Sequence, residues 1–439
     1  MPCSHACAGR QDRRRAGQRV PSVRHHETGR THLSPPVRVG RHGMNRLERA
    51  LSISDLREIA RKSLPGFIFE FIDGGAEDEI TLARNRSAFE QTTLVPRVLN
   101  NVENPDLHTT LIRLPSAAPL LISPMGSCAL ACRGADVAIA RAAAKRGIPY
   151  VLSSMATTSM EEVRRSVDGR LWFQLYTLKD RAFTRSLVER AKAANFEALV
   201  VTVDLPIGGK RERDVRNGVR IPMRLGIPQA YQLLTHPRWA LQVAARGTPQ
   251  FENLRGLGAS DDAGLTIAAK VGQMLDSRFD WEDLARLRDL WDGPIVVKGV
   301  QHPRDAIRLS QVGVDAIWVS NHGGRQLDGA ESSFESLRAI AAAVGSGTEL
   351  IIDSGIRRGV DLVKSVAVGA RAVAIGRPAL FGAAAGGHDG ALRAIDILLD
   401  EARRAMMLCG VKTIDSISMS GLITRADAVR PSRLPEPLR

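Results

Sequence analysis

PIVVKGVQHPRDAIRLSQVGVDAIWVSNH, residues 294 to 322, holds the fold in miniature. PIVVKGV (294 to 300) and AIWVSNH (316 to 322) begin as continuous apolar runs rather than alternating ones, which is how strands covered on both faces read. Between them PRDAIRLSQVG has helical period, so the stretch reads as strand, helix, parallel strand. Six more such runs flank it: PLLISP (119 to 124), YVLSS (150 to 154), LWFQLY (171 to 176), ALVVTVD (198 to 204), ELIIDSG (349 to 355) and AVAIGRP (372 to 378). Helical segments such as ADVAIARAAAKRG and AFTRSLVERAKAANF lie between them. Eight β-then-α units predict an α/β chain closed as a (β/α)8 TIM barrel.

One connection breaks the spacing. About ninety residues separate Asp204 from Pro294, against roughly twenty to thirty-five elsewhere, so an insertion (about 205 to 280) is expected after strand four. Residues 205 to 255 carry a net +6, with Leu225, Ile227, Tyr231, Leu233, Leu234, Trp239, Leu241 and Val243 interspersed. Basic plus apolar reads as an interfacial segment on a membrane surface. Composition equally admits a folded lid that packs on the barrel.

The whole chain has 439 residues, 44% hydrophobic and 25% charged, which excludes disorder throughout. Its net charge of +14 invites a nucleic-acid reading until the charge is placed. Residues 1 to 43 hold nine Arg against Asp12 and Glu27, or +7, and the inserted segment supplies +6 of the rest. That tail lacks the large apolar side chains that would offset its ordering entropy. It reads as disordered, or as an extension upstream of a true start at Met44. A transit peptide or RNA-binding arm ranks last, because aromatic interleaving is absent. No nucleic-acid partner is expected. Cys3, Cys7, Cys128, Cys132 and Cys409 make neither a disulfide framework nor a zinc spacing, so no metal is expected. No run reaches the ~18 apolar residues of a span and no secretory signal opens the chain, so the default location is cytoplasmic. The expected division is a tail (1 to 43), a barrel domain (44 to 425) and a C-terminal tail (426 to 439).

Polar residues gather at one end of the apolar runs. Gln174, Tyr176, Thr202, Asp204, Lys298, Asn321, His322, Asp353, Gly376 and Arg377 lie at or just past the C-terminal ends, the face on which barrel active sites form. In SNHGGRQLD (320 to 328) an imidazole base stands three residues from a fixed cation, among glycines that admit a ligand to the backbone. The chemistry suggested is proton removal from an anion. VTVDLPIGGKRERD (201 to 214) offers Asp204 to stabilise a protonated His322, and Arg211 as a second carboxylate clamp. Arg211 reads equally well as one member of a solvated charge run. IIDSGIRRG (351 to 359) and AIGRPALF (374 to 381) on the last two strands suit a phosphate, held by the amides of Gly355 and Gly376 with Arg357 and Arg377. Lys298 points a further cation into the same mouth, as a phosphorylated cofactor with an anionic ring state requires.

With GGAEDE (74 to 79), LWFQLY, TVD (202 to 204), VVKGV (296 to 300), SNHGGRQLD, DSGIRRG (353 to 359) and IGRP (375 to 378) in order and spacing, the chain from about Leu51 to about Arg425 resembles the FMN-dependent 2-hydroxy acid dehydrogenases and oxidases. RERD (211 to 214), HPRW (236 to 239) and RDLW (288 to 291) look most like its mandelate dehydrogenase branch. The resemblance implies FMN as cofactor and oxidation of an L-2-hydroxy acid, bulky or aromatic, to the 2-oxo acid. It implies His322 as base with Asp204 beside it, Arg325 and Arg211 as the substrate's carboxylate clamp, and Tyr176 near its hydroxyl. Pro124, Met125, Gly126, Ser153, Gln174 and Thr202 would surround the flavin ring, with Lys298 near its N1 and O2. Asp353 would meet the ribityl chain, and Gly355, Arg357, Gly376 and Arg377 the phosphate. The order in which protons leave carbon and oxygen stays open.

Two positions carry extra weight. Gly126 stands where many oxidases of the family have Ala, which leaves room for a bulky substrate and points to a dehydrogenase. Phe71 replaces a tyrosine that usually helps bind the substrate carboxylate, a departure that loosens the substrate assignment. The resemblance also implies a homotetramer that passes electrons to a quinone or respiratory acceptor, peripheral at the inner face of the cell membrane. An oxidase forming hydrogen peroxide from O2 is the alternative, and a non-catalytic flavin- or nucleic-acid-binding module is the reading from another class.

Overall fold

The eight apolar runs form eight parallel strands: β1 (Leu120–Ile122), β2 (Tyr150–Ser153), β3 (Leu171–Tyr176), β4 (Ala198–Thr202), β5 (Ile295–Val300), β6 (Ala316–Val319), β7 (Glu349–Ile352) and β8 (Ala372–Ile375). They pair in sequence order, and β8 returns to β1 to close the barrel. The computed structural model describes residues 45–219, 227–247, 249–257, 267–418 and 421–425. The expectations for the two tails, for Met44 as a start, and for Leu225 and the Ile227 and Val243 side chains lie outside the described residues.

Continuous apolar runs arise because each strand feeds two cores. In β6, Ala316 and Trp318 point into the barrel with Leu121, Val151, Trp172, Val200, Val296 and Ile351. Ile317 and Val319 point outward against the surrounding helices. Both sets leave water, so no position in the strand tolerates a polar residue until the strand ends.

The N-terminal segment packs against the C-terminal helical segment outside the barrel. Ser52 and Asp55 form a reciprocal capping box for helix Ile53–Ser63, which stops at Leu64 before Pro65. That helix packs on the C-terminal helical segment Arg377–Cys409, which is broken by a kink at Gly386 and Gly387. Helix Gly66–Asp73 follows at once, and Phe69 stacks on Phe381 at 6.2 Å. The next residues reach the C-terminal mouth of the barrel, where Arg325 and Arg377 both donate to the Gly74 carbonyl.

The insertion after β4 contains helices Glu212–Arg216, Ile227–Thr235, Pro237–Arg246 and Ile267–Met274 before Trp281–Leu290 resumes the barrel pattern. One face of it is a lid. The Trp239 indole donates to the Leu130 carbonyl at 2.9 Å and meets Phe67 edge-on at 6.0 Å, while Gln232 accepts from the Phe67 amide. Its other face leaves Tyr231, Leu234 and Leu241 at 68%, 80% and 68% exposure. The apolar residues of the insertion therefore divide between a packed face and an exposed one. No helix among the described residues is long and apolar enough to cross a membrane.

Candidate active site

A cleft of about 1190 Å³, counted out to its open mouth, lies at the C-terminal ends of the strands. Tyr176, Arg211, His322 and Arg325 line one part of it; Pro124, Met125, Gly126, Lys298, Asp353, Gly355, Arg357, Gly376 and Arg377 line the rest. Asp204 stands behind His322. Ser153 and Thr202 end β2 and β4, and Gln174 lies inside β3 before Tyr176; all three are buried behind the cleft wall rather than in it.

His322 Nδ1 lies 3.0 and 3.2 Å from the two Asp204 carboxylate oxygens. Its Nε2 therefore faces the cleft, 3.4 Å from the Tyr176 hydroxyl. Burial opposes the charge on Asp204, but His322 and then Lys298 outweigh it and hold the carboxyl below its ordinary range. Burial also pushes the Tyr176 phenol up, so the hydroxyl stays protonated. His322 has φ 59, in the left-handed region that β-carbon residues seldom occupy, and its amide donates to Ser320 Oγ. Strain of that kind concentrates at functional sites. Asp204 owes its seat to Gly299, at a register break in β5 with φ +105. A Cβ at that position would lie 2.6 Å from the Asp204 Cβ.

Arg211, Arg325, Arg357 and Arg377 have no ion pair with a carboxylate among the described residues. Arg211 is thus a cleft residue, whereas Lys210 and Arg216 of the same run pair with Glu212, and Arg213 with Glu79. Burial presses Arg211 and Arg325 below the usual guanidinium value, with Arg211 and Arg377 repelling Arg325 further. Burial and Arg377 push Arg357 down to about 9, and burial takes Arg377 to about 10. Arg325 donates to the Phe71 and Gly74 carbonyls, and Arg377 to Ile72, Gly323 and Gly74. These bonds fix the guanidinium planes without neutralising them, so the cluster is complete only with anions bound.

The donor set fits a phosphorylated flavin. Arg357 follows the left-handed Gly355, and Arg377 is the first residue of the C-terminal helix, whose N-terminal amides favour an anion. Ser123 Oγ, Gln174 Nε2 and Thr202 Oγ1 are buried without a hydrogen-bond partner among the described residues. Of these, Ser123 lines the cleft, where a ring of amide and carbonyl groups would satisfy its hydroxyl. Lys298 lines the cleft with its ammonium paired, 3.0 Å from Asp353 and donating to Ser320 at 2.7 Å. Gly126 also differs from expectation. A Cβ there would meet the Met155 Cβ at 2.9 Å, so the glycine permits close approach of that loop, and the room it makes is filled by the protein.

Several groups in the cleft carried no sequence signal. Ser354, with φ 75, accepts from the Gly323 amide and donates to Asp353, joining the β6 and β7 loops. Met155, Leu205, Phe251 and Val271 supply apolar wall, the last three from the insertion. Phe71 lines the cleft as well, with the Arg325 guanidinium 5.3 Å from its ring centre.

Residues 60–424 match the family of FMN-dependent dehydrogenases. The chain is 40% identical over 373 residues to an L-lactate dehydrogenase of Pectobacterium atrosepticum, covering 84% of this chain and 96% of that protein. It is similar in structure to a monotopic membrane protein, (S)-mandelate dehydrogenase, with a TM-score of 0.81 at 36% identity over 86% of this chain and 100% of the other. A mandelate oxidase crystallised with 3,3-difluoro-2-hydroxy-3-phenylpropionic acid aligns with a TM-score of 0.72 at 34% identity, over 85% and 98% of the two chains.

Proposed function

We propose that this chain, which belongs to the FMN-dependent dehydrogenase family, oxidises an L-2-hydroxy acid with a bulky or aromatic 2-substituent to the 2-oxo acid. FMN is its cofactor and supplies the two-electron acceptance that no side chain offers. The observation that carries the reading is His322, backed by Asp204 and facing Tyr176, in one cleft with two guanidinium groups that lack carboxylate partners among the described residues.

Arg211 and Arg325 hold the substrate carboxylate, each as a fixed planar donor. The Tyr176 hydroxyl meets the substrate hydroxyl. His322 Nε2 takes the proton that the acid gives up, and Asp204 stabilises the imidazolium formed. Phe71, Leu205, Met155, Phe251 and Val271 surround the position left for the 2-substituent with apolar surface. That wall favours an aryl or long alkyl group over the methyl of lactate, by about 1 to 3 kcal/mol for each methylene buried there.

The electrons pass to a quinone or respiratory acceptor. Tyr231, Leu234 and Leu241, exposed beside Arg238, form the face by which the protein rests as a peripheral homotetramer on the anionic inner surface of the cell membrane. The similarity to a mandelate oxidase supports a second reading in which O2 takes the electrons. Mandelate, lactate, glycolate and longer 2-hydroxy acids should be screened anaerobically for bleaching of bound FMN. Mandelate-like acids are expected to bleach it fastest, and air should restore the colour slowly. Rapid reoxidation would favour the oxidase, and bleaching by none of the acids would overturn the proposal.

A further inference from the structure

We infer that Gln326 is a positioning residue, whose single amide locks the loop bearing Asp204 and Arg211 to the loop bearing His322 and Arg325. The inference rests on the proposed function and deepens it. Each loop contributes one half of the proton-transfer pair and one half of the carboxylate clamp. Neither half is useful unless the two loops keep a fixed spacing.

Gln326 Nε2 donates to the Asp204 carbonyl at 3.2 Å and the Ile207 carbonyl at 3.0 Å. Its Oε1 accepts from the Gly209 amide at 3.1 Å. Three backbone groups between Asp204 and Arg211 thus converge on one side chain, using both amide hydrogens and the oxygen. The loops also touch directly. A Cβ at Gly209 would stand 2.2 Å from the Arg325 carbonyl oxygen and 2.9 Å from the Gln326 Cα. The alternative tie is weak, since Arg211 Nε reaches the Arg325 carbonyl only at 3.5 Å.

Sequence position makes the arrangement economical of parts. Gln326 follows Arg325 directly and stands four residues after His322, on a loop whose Gly323 and Gly324 both have positive φ. Across the gap, the bonded stretch begins at Asp204 itself and ends two residues before Arg211. The insertion then leaves from this same stretch. No other donor on the His322 loop satisfies the carbonyls of Asp204 and Ile207 among the described residues.

The test uses the FMN-loaded full chain and three substitutions. Gln326→Met keeps the length of the side chain and removes all three bonds, Gln326→Asn keeps the amide one methylene short, and Gln326→Glu keeps the acceptor and loses both donors. Gln326→Met should lower kcat/KM by about ten- to a hundredfold, the scale set by small misplacement of reacting groups, while FMN content and Tm stay near wild type. Both kcat and KM should change, because base and clamp are each displaced. Gln326→Asn should recover part of the loss and Gln326→Glu none.

A double-mutant cycle separates positioning from general stability. In an Asp204→Asn background, Gln326→Met should cost clearly less in kcat than it does in wild type, because part of its effect runs through Asp204. Calorimetric binding of phenylacetate, which cannot be oxidised, should weaken about tenfold in Gln326→Met. Unchanged kcat/KM in Gln326→Met, or full additivity with Asp204→Asn together with wild-type phenylacetate binding, would overturn the inference. If wild type binds phenylacetate but oxidises no 2-hydroxy acid, the proposed function fails and the binding comparison still decides the role of Gln326.

Discussion

Phe71→Tyr adds one hydroxyl to a ring that lines the cleft at 7% exposure beneath the Arg325 guanidinium. The ring stays aromatic, so its contact with the Arg325 cation is kept. The new phenol gives the carboxylate clamp a third donor beside Arg211 and Arg325. A hydrogen bond to a charged group contributes about 1.5 to 3 kcal/mol. At about 1.36 kcal/mol per decade, that is roughly a ten- to 150-fold gain in kcat/KM. Desolvating the hydroxyl in so closed a position offsets part of it, which places the expected gain near the lower bound. The bond forms with the carboxylate before and during reaction alike, so it should appear as a lower KM with little change in kcat. Anaerobic stopped-flow reduction of bound FMN by mandelate and by lactate measures both constants. An unchanged KM for both acids, with FMN content intact, would refute the placing of the carboxylate on Arg211 and Arg325 within reach of residue 71.

Other consequences follow from the same geometry. Gly299→Ala should drive the Asp204 side chain from its seat, since the new Cβ falls 2.6 Å from that of Asp204 at φ +105; loss of kcat with a stability cost of about 1 to 3 kcal/mol is expected from activity and thermal melts. Leu234→Glu with Leu241→Glu should release the protein from anionic vesicles in a flotation assay while kcat with a soluble dye acceptor is kept; undiminished flotation would remove that face from the membrane contact. Burial opposes the charge on Asp73, but its hydrogen bonds to Arg57 at 2.6 and 2.7 Å, with Arg377 and Arg357 nearby, hold the carboxyl below its usual value. A depressed carboxyl stabilises the fold above its unfolded pKa and loses that contribution as pH falls through the folded value. Melting temperatures taken downward from pH 6 should therefore fall less steeply in Asp73→Asn than in wild type.

The barrel was legible because each of its strands is buried on both faces, as Ala316 to Val319 illustrate, and such runs admit few other readings. The chemistry at the mouth was legible for a related reason: polar residues are tolerated only where the strands stop, so Tyr176, Lys298, His322 and Asp353 announced one face of the barrel. Composition could not tell the two sides of the insertion apart, because Trp239 and Leu241 are equally apolar and only tertiary packing buries the first. Pairing inside the site was hidden as well. Lys298 was legible as a cation at the mouth, but its pairing with Asp353, fifty-five residues later, was not. Gly126 was read as space for substrate, and the loop that occupies the space belongs to Met155. Gln326 gave no warning at all, since its three partners are backbone groups that carry no residue identity.

The central claim is that His322 removes the substrate proton while FMN takes the electrons. Its most direct measurement is the rate at which excess mandelate bleaches the bound FMN of wild type and of His322→Ala, anaerobically and at equal FMN occupancy. The account predicts that wild type bleaches readily and that the variant is slowed by about a hundredfold or more. A variant that bleached as fast as wild type would contradict it.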